Sequence, residues 1–229
     1  MEYKKIKHGI FCERLNRFIA RVKVDDVIET VHVKNTGRCR ELLQPGVTVI
    51  LEDAGHTGRK TRYSLVEVYK GATLVNMDSQ APNQVVYEAL CQGKLQELGT
   101  PVRVAKEVTY GKSRFDLYYE NENGKGFIEV KGVTLEDKGI AMFPDAPTER
   151  GAKHLMELIE AVRGGYQGWI FFLIQMQGVS VFRPNRAMDP QFAQVLQLAQ
   201  KCGVRVLAYD AVVTEDGMTL GHPVPVELD

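Results

Sequence analysis

Phe127-Ile128-Glu129-Val130-Lys131 sets an acid and a base two residues apart, and the two-residue period of a β-strand sends both to one face while Ile128 and Val130 take the other. In the run before it, Ser113-Arg114-Phe115-Asp116-Leu117-Tyr118-Tyr119, Phe115 and Leu117 read to one face and Asp116 to the opposite one. If a hairpin pairs the two runs with their apolar faces matched, Asp116 joins Glu129 and Lys131. Two carboxylates on adjacent strands suit a Mg²⁺ or Mn²⁺ ion, with the backbone carbonyl of Val130 as a further oxygen ligand and waters for the rest. Such an ion activates a bound water and neutralises charge building on a phosphate. Free lysine has a pKa near ~10.4, so Lys131 is expected to act through its charge rather than as a base. The chemistry is metal-assisted phosphodiester hydrolysis. A solvated cross-strand salt bridge is the commoner fate of an E-x-K on a surface. Here a sheet covered by helices is expected, and burying these charges there costs free energy unless they are paired or bind a cation.

The elements that must position this set follow a regular pattern. Asn83 reads as the N-cap of a helix containing Val85, Val86, Ala89, Leu90 and Leu95. Strand-like runs follow at Val102–Tyr110, Phe115–Tyr119 and Phe127–Lys131, and Asn123-Gly124 between the last two is a hairpin signal. After Thr148, Leu155, Leu158, Ile159 and Val162 recur at helical spacing until Gly164-Gly165. Trp169–Ile174 is a continuous apolar run, expected to be a strand buried on both faces. Asp189 then caps a helix with Pro190 at its first position, and Gly203 closes it before a last strand, Val204–Tyr209. This half reads αβββαβαβ, a mixed sheet flanked by helices. Ahead of it, Ile10-Phe11, Phe18–Val24, Val27–Val33, Val47–Glu52 and Tyr63–Tyr69 are separated by turn residues. Five short strands suit a small closed barrel, OB-like, with an SH3-like barrel fitting almost as well. The polar stretch Val75–Gln84 marks the boundary, giving domains 1–80 and 81–229.

Asp116 followed by Glu129-x-Lys131 on the next strand resembles the PD-(D/E)xK nuclease-like superfamily, as do Glu88 on the preceding helix and Glu107 on the first strand. More specifically, the chain resembles the sugar fermentation stimulation protein A family of bacteria and archaea. The matching segments are Arg14-Leu-Asn-Arg-Phe18, His32-x-x-Asn35-Thr-Gly-Arg38, Pro82-Asn83 with Glu88-Ala-Leu90, Ser113-Arg-x-Asp116, Glu129-Val-Lys131 with Val133-Thr-Leu135, and Phe143-Pro-Asp-Ala146 with Thr148-Glu-Arg-Gly-x-Lys-His-Leu155. Cys39 after the NTGR turn and Pro147 after FPDA depart from the family pattern and touch no charged position. The resemblance implies an N-terminal OB-like domain, a nuclease-like C-terminal domain and association with DNA. It also carries two functional readings, a nuclease and a DNA-binding regulator of sugar metabolism genes.

Other residues attach to the candidate site with less force. Glu88 lies at the edge of its helix's apolar stripe, from where its carboxylate reaches either the metal or the surface. Glu107 sits in a strand of ambiguous register, and Arg150, His154 and Glu157 share one flank of the Thr148 helix, where they contact phosphate, support the carboxylates or simply face water. Asp145 lies in the loop expected to overlie the site. In the barrel, Arg14, Arg17, Phe18, Asn35, Arg38, Arg40, Arg59, Lys60, Arg62 and Tyr63 combine cations, amides and rings, the chemistry of single-strand binding, although a scattered basic surface has the same composition.

Composition bounds the rest. The 229 residues are 44% hydrophobic and carry 29 Lys+Arg against 29 Asp+Glu. Divided near Gln80 the balance becomes +4 (14 basic, 10 acidic) before and −4 (15 and 19) after, as a phosphate-gripping barrel beside a carboxylate site requires. No apolar run reaches the ~18 residues of a membrane span and no secretory leader is seen, so a cytoplasmic protein is expected. Cys12, Cys39, Cys91 and Cys202 are too dispersed for zinc or a disulfide framework. The expected partner is DNA, single- or double-stranded, with room for a homodimer and no membrane. A metal-dependent DNA phosphodiesterase is the first reading, a non-catalytic DNA-binding transcriptional regulator the second, and a small-ligand hydrolase or sensor on the same metal site a third.

Overall fold

The alternation in the first eighty residues resolves into six strands. In the computed structural model, which describes residues 1–35, 37–55, 58 and 60–228, they are β1 (Ile6–Arg14), β2 (Ile19–Val24), β3 (Val27–Val33), β4 (Thr48–Asp53), β5 (Tyr63–Lys70) and β6 (Thr73–Asn76). Along β2 the period of two is plain: Ala20, Val22 and Val24 are buried, and Arg21 and Lys23 are exposed. Val24 pairs with Val27, so Asp25-Asp26 forms a two-residue hairpin turn with φ of 45° and 67°, a conformation that Asp tolerates better than most residues. The strand order is β3-β2-β1-β4-β5-β6, and parallel pairing of His32 with Ser64 and Val33 with Leu65 joins β3 to β5. That contact closes β1–β5 into the expected five-stranded barrel, an OB fold, with β6 added alongside β5. Arg59 of the basic set lies outside the described residues.

The second half is the expected mixed sheet with helices. It contains α1 (Ala81–Cys91), a 3-10 turn (Gln96–Leu98), β7 (Arg103–Tyr110), β8 (Ser113–Asn121), β9 (Gly124–Val133), β10 (Leu135–Asp137), β11 (Ile140–Phe143), α2 (Glu149–Arg163), β12 (Gln167–Ile174), β13 (Val181–Pro184), α3 (Pro190–Lys201), β14 (Arg205–Thr214) and β15 (Gly217–Pro223). Six strands run in the order β15-β14-β12-β9-β8-β7, with β12 parallel to β9 and β14 and the other pairs antiparallel. Every residue from Gly168 to Ile174 is buried, because α1 packs with Trp169, Phe171 and Leu173 on one face while α2 and α3 pack with Ile170, Phe172 and Ile174 on the other. Asp189 caps α3 by accepting the Phe192 amide.

Four details differ from the sequence reading. Helix α1 starts earlier, at Ala81 after Gln80, with Pro82 in its first turn, so Asn83 lies inside the helix and is not its cap. The same helix stops at Cys91, before Leu95. Short strands β10, β11 and β13 form a separate three-stranded sheet, and β15 extends the large one. Phe115 and Leu117 do not share a face: Phe115 packs with Phe127 on the α2 side and Leu117 with Ile128 on the α1 side, so the alternation breaks at Asp116.

The two halves are joined through polar contacts as well as apolar ones. The Asn76 amide donates to the Gln175 carbonyl at 2.9 Å, Gln175 Nε2 donates to Asn76 Oδ1 at 3.0 Å, and the Tyr3 amide donates to the Asp216 carbonyl at 2.7 Å. Among the described residues no helix is long and apolar enough to cross a membrane.

Candidate active site

The break at Asp116 is where the candidate chemistry sits. The β8–β9 ladder runs from Asn121–Gly124 to Leu117–Ile128 and stops before Asp116 meets Glu129. On the other side the β7–β8 ladder skips the Glu107–Asp116 pair, where Glu107 adopts φ 57°. Asp116 therefore sits between two interrupted ladders, and its side chain takes over. Its Oδ2 accepts the Val130 N–H at 2.8 Å, where a continued ladder would have offered a carbonyl, and its Oδ1 accepts Asn83 Nδ2 of α1 at 2.8 Å.

Glu129 and Lys131 point to the α2 side of β9. Glu129 is 2% exposed; its Oε1 accepts Lys131 Nζ at 2.6 Å and also His154 Nδ1, which reaches in from α2. Arg150 Nε donates to His154 Nε2 at 3.3 Å, so the ring proton belongs on Nδ1, facing the carboxylate. Glu129 Oε2 is buried and has no hydrogen-bond partner.

The two carboxyls are driven in opposite directions. Burial pushes Asp116 up and the nearby Glu129 charge adds to it, against the Val130 amide, Lys131 and Asn83. Burial also pushes Glu129 up, but the His154 bond and Lys131 outweigh it and hold Glu129 below the usual range. Environments that separate two carboxyls in this way suit an acid–base or metal-binding pair. Hard cations prefer oxygen, and Mg²⁺ takes one or two carboxylates and keeps its other positions for water and phosphate. The donor set fits such an ion in kind: the Glu129 charge is near enough to Asp116 to raise it, and the free Oε2 of Glu129 has a lone pair with nothing on it. Among the described residues no group of three or more His, Cys, Asp and Glu side chains converges as a metal cluster.

The other expected ligands go elsewhere. Glu88 accepts the Met1 ammonium at 2.8 Å and Gln84 Nε2 at 2.6 Å, so the charge read as a metal ligand serves to pin the start of the chain. Glu107 is an exposed partner of Arg114 at 2.9 Å. Asp145 lies against Gly37 of the barrel, where a Cβ would come within 2.6 Å of its Oδ2. Glu157 pairs with Ser113 and Lys153. The Val130 contribution that the structure shows is its N–H to Asp116, not its carbonyl. Asn83 was missed as a site residue because its type matched a helix cap; Pro82 was the signal that the helix starts earlier.

The barrel residues divide in the same way. Arg14 spends its whole donor fork on backbone: Nε goes to the Asn16 carbonyl, Nη1 to Gly37 and Arg38, and Nη2 to Arg17 and Asn35. It is a strut for two loops and has no donor left for a phosphate. Asn35 is likewise structural, donating to the Met77 carbonyl and accepting the Gly37 amide. Arg62 forks onto Asp53, which it holds down at about 2, and stacks over Tyr63. Arg17 lies over the exposed Phe18 ring at 4.9 Å, and with Arg38, Arg40 and Leu43 it lines a cavity of about 280 Å³.

Comparison with known proteins agrees with this architecture. Residues 12–77 match the family model described as the SfsA N-terminal OB domain, and residues 80–217 match the sugar fermentation stimulation protein RE domain. A sugar fermentation stimulation protein homolog from Alkaliphilus oremlandii is 56% identical, with 99% of each chain covered, and one from Clostridium botulinum is 51% identical, with 98% of each covered. Among solved structures, that of Pyrococcus furiosus SfsA in complex with Ca²⁺ superposes with a TM-score of 0.88 at 30% identity, covering 99% of this chain and 98% of the other. With both of its halves matched in order and near-complete relatives at this identity, the chain belongs to the sugar fermentation stimulation protein family.

Proposed function

We propose that this chain is a metal-dependent DNA phosphodiesterase of the PD-(D/E)xK type that uses Mg²⁺ or Mn²⁺. The observation that carries the reading is the buried, unpartnered Oε2 of Glu129, whose other oxygen Lys131 holds. Asp116 and Glu129 would hold the ion, and when bound it supplies an activated water and offsets charge on the phosphate. Lys131 keeps a cation where negative charge grows in the transition state. His154 fixes the Glu129 carboxylate and keeps it ionised, and Arg150 fixes the His154 tautomer. The barrel supplies grip: Arg17 and Arg38 suit phosphates, and Phe18 suits a stacked base. That the Pyrococcus furiosus relative is described with Ca²⁺, another hard divalent ion, supports a divalent site.

The test is incubation with single-stranded, duplex and branched DNA and with RNA, with Mg²⁺ or Mn²⁺, alongside Lys131→Ala and Asp116→Asn. Cleavage by the parent chain that both variants lose is the expected result. Cleavage persisting in both would overturn the assignment, and metal-independent binding without cleavage on any substrate would leave a DNA-binding regulator instead.

A further inference from the structure

A cavity of about 340 Å³ lies between the two halves, walled by the barrel turn at Asn35 and Gly37, by Gly132 and Val133 at the end of β9, and by the Phe143–Thr148 loop. Gly132 follows Lys131 directly, so the cavity is walled by the same strand, β9, that carries the candidate site. Its walls include Met142, Phe143, Pro144 and Pro147, which are apolar and in part flat.

Two of its polar groups are acceptors without a hydrogen-bond partner among the described residues. Gln175, 1% exposed, donates its Nε2 to both Asn76 Oδ1 and the Asp78 carbonyl. Those two acceptors fix the amide orientation and leave Oε1 against Gly132 with no hydrogen bond among the described residues. Asp145 forms no side-chain hydrogen bond among the described residues, and it is the ionisable side chain among those lining the cavity. The amide of Asn35 and the hydroxyl of Ser79 are spent on the carbonyls of Met77 and Lys34. The cavity thus offers these acceptors, with the Thr134 and Thr148 hydroxyls, between apolar walls and lacks a cation for a phosphate.

We infer that this interdomain cavity is a nucleobase pocket that selects an unpaired guanine next to the phosphate being cut. Guanine presents adjacent N1–H and N2–H donors on its Watson–Crick edge, which a carboxylate accepts side by side. Adenine and cytosine present an amino donor beside a ring acceptor, and uracil and thymine present one N–H between two carbonyls that face the Asp145 charge. A base held by its Watson–Crick edge in this cavity cannot also be paired in a duplex, so the substrate is single-stranded or has the base flipped out. The identity of the neighbouring phosphate rests on the phosphodiesterase reading; the acceptor geometry does not.

The experiment measures binding of GMP, AMP, CMP and UMP to the full chain without metal, by amide chemical shifts of Gly132 and Gln175 and by fluorescence titration. GMP is expected to bind at least tenfold more tightly than UMP, with Asp145→Asn abolishing the preference and leaving the melting temperature unchanged. Ala146→Trp, which fills the cavity, should block all four. Equal affinities, or a guanine preference indifferent to both variants, would overturn the pocket. Cleavage of oligonucleotides that Lys131→Ala loses but that ignores guanine also overturns it and leaves the phosphodiesterase intact. Asp145-dependent GMP binding without cleavage of any oligonucleotide supports the pocket and removes the phosphodiesterase.

Discussion

Replacing Glu67 with Gln should stabilise this protein, and by an amount that grows with pH. Glu67 is 0% exposed on β5; its Oε1 accepts Asn76 Nδ2 at 3.0 Å and its Oε2 has no partner. Burial, with smaller contributions from the charges of Glu215 and Asp216, raises its carboxyl from 4.5 to about 8 against the Asn76 bond. The folded chain therefore keeps a proton that the unfolded chain releases above about 4.5, and stability is lost as pH rises from there to about 8. At about 1.36 kcal/mol per pH unit the loss is about 3 kcal/mol at pH 7 and about 5 kcal/mol above pH 8. A carboxamide has the shape of the protonated acid and nothing to titrate. Urea unfolding of both proteins from pH 4 to pH 9 should give coincident stabilities near pH 4.5 and a widening gap in favour of Glu67→Gln. Near pH 7 the gap corresponds to about 6–12 °C in Tm for a chain of this size. A gap that stays constant across the range, or a variant less stable at pH 8, would refute the argument that Glu67 is buried as a neutral acid.

Arg14→Lys should cost about 2–4 kcal/mol in unfolding experiments, because an ammonium cannot serve five carbonyls, whereas Arg17→Ala should leave stability within about 0.5 kcal/mol and lower the salt dependence of single-stranded DNA binding by about one counterion. Gly132→Ala places a Cβ 2.4 Å from Gln175 Oε1 and 2.8 Å from Pro82 Cγ, and should destabilise by about 1–3 kcal/mol, read as a lower urea midpoint. His154→Ala removes a donor from Glu129 and should weaken Mg²⁺ binding about 10–100-fold by calorimetry; unchanged affinity would take His154 out of the site.

How much of this was legible depended on whether the signal was local. Strand period does not give the face of Asp116, because Phe115 and Leu117 lie on opposite faces and the alternation breaks there. The hairpin that brings Asp116 alongside β9 was legible from Asn123-Gly124, a short-range signal. The barrel's strand count was legible in the same way, but its closure through β3 and β5 was not, since no local pattern encodes a long-range parallel contact. Glu88 misled because helical spacing gives a side chain's face and not which charge will meet it there; the Met1 ammonium, far off in sequence, claimed it. Arg14 looked like a phosphate ligand because its type is right, and only the fold reveals that loop carbonyls already surround it. Asn83 reads as a helix cap and Gln175 as nothing in particular, because an amide's role follows from what lies opposite it: Asp116 for the one and Asn76 for the other.

The contacts between barrel and mixed sheet bear on how the molecule comes apart. Lys70 binds the Glu136 carbonyl, Tyr69 binds Glu215, Asn76 and Gln175 exchange bonds, and Tyr3 holds Asp216, so the ties reach three separate stretches of the second half: β10, the residue after β12 and the β14–β15 turn. Separating the two halves breaks hydrogen bonds at all three stretches. The expected behaviour is a single cooperative melting transition, with calorimetric and van't Hoff enthalpies in agreement, for a chain built from two distinct sheets. A barrel expressed alone would expose Asn76 and Asp78 without their Gln175 partner, and would begin life short of the hydrogen bonds that the other half provides.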